Sequence, residues 1–201
     1  MSSISSTLCG IIAEQKRKEE DKDIWSCSEW KDIATLENNN VGIVGEQFVQ
    51  RMCNAAGIQA VIDGALTKEV GGGVGDGLIN GRTVEIKCAR QGTGKSASFQ
   101  HELGEKPWHA DFMLFVDVAP TNFYITLFPN MTEAEYKSKG FKCKFFPTRS
   151  VCWRKEKGAF KLDTTVALNI AQSSVTYPHT LIWSPETSIE TIADFINRII
   201  N

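Results

Sequence analysis

No stretch of this sequence is apolar for long enough to cross a bilayer, which takes about 20 residues as a helix. The opening MSSISSTLCGIIAEQKRK has neither the basic start nor the continuous apolar centre of a secretory signal. On these grounds the chain is expected to be cytoplasmic, with no membrane partner. An excess of one charge is also missing, with 22 Lys and Arg against 24 Asp and Glu for a net charge of −2. Overall charge therefore does not announce a nucleic-acid binder. The six cysteines, Cys9, Cys27, Cys53, Cys88, Cys143 and Cys152, include no C-x-x-C pair, and the three histidines, His101, His109 and His179, are scattered. That spacing argues against a disulfide framework and against a structural zinc site. The glycine run from Gly71 to Gly81 contains no register of G-x-G-x-x-G, so a dinucleotide fingerprint is absent as well.

What remains is an ordinary globular composition, 42% hydrophobic and 23% charged over 201 residues, enough for one domain with a substantial core. The informative stretch is EVGGGVGDGLINGRTVEIKCAR, from Glu69 to Arg90. Asn80-Gly81 is a strong hairpin signal, because a two-residue type I′ turn needs positive φ at both positions. Counting outward pairs Ile79 with Arg82, Leu78 with Thr83 and Gly77 with Val84. The next pair would set Asp76 directly opposite Glu85. Alternation puts Thr83, Glu85 and Lys87 on one face and the apolar Val84, Ile86 and Cys88 on the other. Directly opposed carboxylates have Cβ atoms roughly 4.5–5.5 Å apart and repel. A hard divalent cation such as Mg²⁺, bound through oxygen ligands, would offset that repulsion. Lys87 would add positive charge where a reacting phosphate gathers negative charge. The glycines at 71, 72, 73, 75 and 77 deny side-chain packing and are expected to allow close approach of a ligand backbone.

Asp76, followed across the hairpin by Glu85-Ile86-Lys87, resembles the catalytic motif of the PD-(D/E)XK nucleases, of which type II restriction endonucleases are the best-known members. Gly75 stands where the family name has proline. Two further features fit. Residues 38–58 read as a helix, with Asn40 able to cap its start, Gly57 its end, and Val41, Val44, Phe48, Val49, Met52 and Ala56 as an apolar stripe. Glu46 lies within it after Gly42 and Gly45, like the glutamate that many family members carry on the helix before the hairpin. SASFQHEL (96–103) then follows the lysine strand, and Gln100 loosely matches a polar residue found there. The resemblance spans roughly residues 40–128, including ADFMLFVDV (110–118) and NFYITLF (122–128) as further core strands.

The resemblance implies an α/β fold with a mixed central sheet flanked by helices. It also implies a Mg²⁺-dependent endodeoxyribonuclease, with Asp76, Glu85, the Ile86 carbonyl and Glu46 as the metal set. Lys87 would orient or deprotonate the attacking water, and Gln100 would assist. Double-stranded DNA would be the substrate and a homodimer the natural form for a palindromic site. A junction-resolving or repair nuclease has the same parts. Between Lys137 and Lys161 nine basic residues face one glutamate, so the rest of the chain carries −10. Aromatic residues interleave with them. Lys142, Lys144, Arg149, Arg154, Lys155 and Lys157 are the candidates for holding phosphates. A competing reading is a nucleotide-binding enzyme, since ARQGTGKS (89–96) nearly matches a phosphate loop and MLFVD (113–117) ends in an aspartate that could hold Mg²⁺. Against it, Ala89 replaces the first glycine. A central parallel strand should also be apolar on both faces.

The expected organisation is one nuclease domain over 1–201: a helical N-terminal arm (1–37), a core (40–128), then the basic segment and a C-terminal helix (129–201). Asp163 is expected to cap a helix over 163–174. Thr187 and Glu190 are expected to form a capping box for the last helix.

Overall fold

The computed structural model describes residues 3–20, 23–62, 74–92, 99–103, 109–130, 132, 134, 150–154, 159–164 and 179–201. It is an α/β fold with a mixed sheet flanked by helices. Helices α1 (Ser3–Glu20) and α2 (Asn38–Ala55) precede strands β1 (Ala60–Ile62), β2 (Gly77–Ile79), β3 (Arg82–Arg90), β4 (Phe99–Leu103), β5 (Phe112–Val118) and β6 (Phe123–Pro129). Strands β7 (Ser150–Arg154), β8 (Ala159–Thr164) and β9 (Thr180–Trp183) follow, and helix α3 (Ile189–Ile199) ends the fold. Six strands form one sheet in the order β1-β2-β3-β5-β6-β9, and β4-β8-β7 form a second. Among the described residues only the β3–β5 pair is parallel; the other ladders of both sheets are antiparallel.

Strands β5 and β6 are almost wholly apolar because both of their faces are covered. On one face, Val49, Met52 and Cys53 of α2 and Ile192, Phe195 and Ile196 of α3 pack on Val84, Ile86, Leu114, Val116, Ile125 and Leu127. The spacing of those helical residues is a single stripe at the 3.6-residue period. On the other face, Phe99 of β4 packs with Ala89, Ala119 and Tyr124. The segment after α1 is part of this body. Trp25, Ile33 and Val41 form a small buried cluster, Trp30 Nε1 donates to the Ala119 carbonyl at 2.7 Å, and Arg90 donates to the carbonyls of Ile33 and Leu36. These bonds fix the chain that leads into α2. Among the described residues no helix is long and apolar enough to cross a membrane.

Three local expectations need correction. Asn40 does not cap α2. The helix starts three residues earlier than an Asn40 cap would have it, with Glu37 extended at its N-cap and Val41 N–H donating to the Glu37 carbonyl at 3.0 Å. Gly57 ends it as expected, at φ +68°. Asp163 lies in β8, opposite Gln100 and Ser150, and not at a helix start; residues 165–174 of the expected helix lie outside the described residues. The last helix is capped by Ser188, whose side chain accepts from Thr191 N–H, because Thr187 is engaged in closing the preceding turn onto Ser184.

Candidate metal centre at the edge of the third strand

The hairpin forms at Asn80-Gly81, with φ of 49° and 74°. Its first pairs are Ile79 with Arg82, Leu78 with Thr83 and Gly77 with Val84, as counted from the turn. Asp76 then departs from the expected register. Its N–H donates to the Val84 carbonyl at 2.7 Å, so Asp76 and Gly77 both stand against Val84, the geometry of a bulge. The Asp76 carboxylate consequently reaches past Glu85 and accepts the Ile86 N–H at 2.7 Å.

Crowding of the backbone explains the bulge. Gly75 sits at φ +89°, and a Cβ there would lie 2.4 Å from the Val84 carbonyl oxygen. A Cβ on Gly77 would lie 2.5 Å from the Val61 carbonyl oxygen. These two glycines therefore admit the chain's own backbone, not that of a ligand. Gly71, Gly72 and Gly73 lie outside the described residues.

Helix α2 crosses β3 on its apolar face. Gly45 lies so close to Cys88 that an added Cβ would stand 2.4 Å from the Cys88 Cβ. That approach places the next residue, Glu46, in the electrostatic field of Asp76, Glu85 and Lys87. Glu85 and Lys87 leave β3 on the opposite face and form an ion pair, with side chains 25% and 34% exposed. Asp76 lies between them along the strand edge. The four groups thus wrap around the edge of β3 instead of sharing one face.

The electrostatics record the crowding. Burial raises the Glu46 carboxyl above its ordinary value; repulsion by Asp76 and Glu85 adds to this, and Lys87 partly opposes it. Burial likewise raises Asp76. The Ile86 amide and Lys87 pull it down, and Glu85 pushes it up. Both groups would shed this penalty beside a cation. Within a strand the N–H and C=O of one residue point to the same side. The Ile86 carbonyl therefore faces the edge where Asp76 lies. The donor set is all oxygen, the chemistry that Mg²⁺ prefers. As the side chains stand, Glu85 is turned to Lys87 and Asp76 to the Ile86 amide. Among the described residues no three Asp, Glu, His or Cys side chains are already gathered at metal-ligand spacing.

No family model, curated protein or solved structure matches this chain.

The remaining candidates fall elsewhere. Gln100 lies in β4, in the second sheet, paired with Asp163. Arg154 ends β7, while Lys142, Lys144, Arg149, Lys155 and Lys157 lie outside the described residues. So does Lys95 of the phosphate-loop reading, whose Asp117 is fully buried with His101 Nε2 2.5 Å from its Oδ1. Sequence reasoning missed that pair. The available signal was an aspartate inside an otherwise apolar strand, FMLFVDV, since a buried charge demands a partner.

Proposed function

We propose that the protein is a Mg²⁺-dependent DNA endonuclease. The observation that carries this reading is the convergence of Glu46, Asp76, Glu85 and Lys87 at one strand edge, where burial and mutual repulsion raise two of the carboxyls. Mg²⁺ held by Asp76, Glu85 and the Ile86 carbonyl, with Glu46 beside it, would supply Lewis acidity toward a phosphodiester and activate water. Lys87 orients the attacking water and stabilises charge on the phosphate oxygens. Glu85 keeps the Lys87 ammonium at the centre through their ion pair. Glu46, less acidic than an ordinary glutamate, is suited to exchange a proton with that water. Displacement in line would release the 3′ oxygen and leave a 5′ phosphate, as the family resemblance implies. The basic segment, Lys137 to Lys161, fits the phosphate backbone by charge. A homodimer would present two such centres to the two strands of a palindrome.

Incubation with plasmid DNA and either Mg²⁺ or Ca²⁺ tests this. Discrete fragments with Mg²⁺ alone are expected for a restriction-type enzyme. Cleavage confined to branched DNA would instead mark a junction-resolving enzyme, and absence of cutting with every divalent metal tried would overturn the nuclease reading.

A further inference from the structure

The two sheets meet through a polar contact that the candidate centre does not use. His101 of β4 is 3% exposed and Asp117 of β5 0%. Besides its bond to Asp117, the His101 ring packs on Phe115 with centroids 4.7 Å apart. In the parallel register Phe115 stands beside Lys87, and Asp117 beside Ala89. Strand β4 therefore lies on the Glu85–Lys87 face, just past those residues. Phe99 also holds β4 there, through apolar packing on Ala89, Ala119 and Tyr124. Apolar packing is non-directional, so it tolerates sliding. A buried hydrogen bond to a carboxylate is directional, and losing such a bond in the interior is unfavourable. The pair is thus the contact that sets how β4 is seated. Strand β4 in turn carries β8 and, through it, β7. Arg154 ends β7, and residues 155–158, including Lys155 and Lys157, join it to β8 in sequence.

We propose that the buried His101–Asp117 pair is a positioning device that seats β4 on the Glu85–Lys87 face, and through its ladders β8 and β7 with Arg154, and so governs grip on nucleic acid more than chemistry. Glu85 and Lys87 are held in the β3–β5 ladder, opposite Met113 and Phe115, by backbone pairing that does not use the side chains of His101 and Asp117. The nucleic-acid half of the proposal rests on the nuclease reading; the seating of the sheet does not.

The deciding variant is His101→Phe/Asp117→Leu, because replacing both members by apolar groups of similar shape removes the directional bond between them without leaving either one of the pair buried alone. His101→Gln and Asp117→Asn, which keep a donor and an acceptor in place, serve as rescue. Amide exchange in Phe99–Leu103 and Ala159–Thr164 should accelerate about tenfold or more in the double variant, while α2 exchanges as in wild type. Duplex affinity in Ca²⁺ should fall about tenfold, and the single-turnover rate at saturating DNA in Mg²⁺ should change less than about threefold. The two rescue variants should stay near wild type in both. Unchanged exchange in β4 and β8, or equal acceleration throughout the chain, would overturn the positioning role. A loss of rate at saturation with affinity intact would overturn it too. If the wild-type protein neither binds nor cuts DNA, the nuclease reading fails, and the exchange pattern alone decides the seating.

Discussion

Replacing Gly45 by alanine puts a methyl group where α2 crosses β3. The new Cβ would meet the Cys88 Cβ at 2.4 Å, its Sγ at 3.2 Å and its Cα at 3.6 Å. Carbon atoms pack at about 3.5–4.0 Å, so helix and strand must part by roughly 1 Å. Overpacking of this kind costs about 1–3 kcal/mol, and the clash with Cβ and main chain offers no flexible side-chain end to move aside. Alanine recovers up to about 1 kcal/mol of helix propensity. The expected net loss is about 1 kcal/mol, or about 2–4 °C in Tm for a chain of this size. Gly42 lies one turn earlier in the same helix, and a Cβ there meets nothing within 4 Å. Gly42→Ala should therefore gain up to about 1 kcal/mol, so one substitution has opposite signs three residues apart. Activity sharpens the contrast. Displacing α2 by about 1 Å moves Glu46, and misplacement on that scale can cost about 10²-fold in rate. Thermal melts and urea titrations of both variants, with plasmid cleavage beside them, make the comparison. Equal stabilisation by Gly42→Ala and Gly45→Ala would refute the close crossing and, with it, the account of how Glu46 reaches the centre.

On the proposed nuclease reading, Lys87→Ala should lower cleavage by about 10²-fold or more while leaving duplex binding in Ca²⁺ near wild type, because the ammonium would act on developing charge. Because the Asp76 and Glu46 pKa values are raised on folding, the native state holds their protons more tightly than the unfolded chain does. Their contribution to stability is then complete below the ordinary carboxylate range and lost as pH rises through the raised values. Asp76→Asn, which can still accept the Ile86 N–H, should be more stable than wild type at pH 7 without divalent ions, and that advantage should shrink on acidification in urea titrations. Wild type should in turn gain about 2.7 kcal/mol from Ca²⁺ at a hundredfold its Kd, and Asp76→Asn much less. Burial pushes the Cys53 and Cys88 thiols up to about 12. A maleimide at pH 7 should label the exposed Cys9 and Cys27 in the native protein, and Cys53 and Cys88 only after unfolding.

Much of the hairpin was legible because its rules are local. Asn80 and Gly81 take the positive φ their side chains tolerate, and the three pairs beyond them follow by counting. The strands at 110–118 and 122–128 were legible from apolar runs bounded by polar residues, and most of the α2 stripe from its period, although Val44 turns out exposed while Gly45 is buried against Cys88. Counting failed at Asp76. Period-two alternation assumes a continuing ladder, whereas the backbone near Val61 and Val84 imposes a bulge that no residue near the turn announces. The N-caps moved by three positions at α2 (Asn40 to Glu37, with no side-chain cap) and by one at α3 (Thr187 to Ser188), because tertiary packing and not the capping side chain alone decides where a helix starts.

By itself the sequence determined which groups are available to the candidate site: a hairpin bearing Asp76, Glu85 and Lys87, and a helix bearing Glu46 behind two small residues. Those outcomes depend on torsional preference and on side-chain periodicity, both carried by neighbours along the chain. Only the tertiary structure decided that α2 meets β3 at Gly45 and Cys88, that Asp76 bonds the Ile86 amide in place of opposing Glu85, and that His101 finds Asp117. Each joins segments at least ten residues apart. Such contacts are selected by volume, by desolvation and by the requirement that buried polar groups find partners, and these are properties of the packed whole.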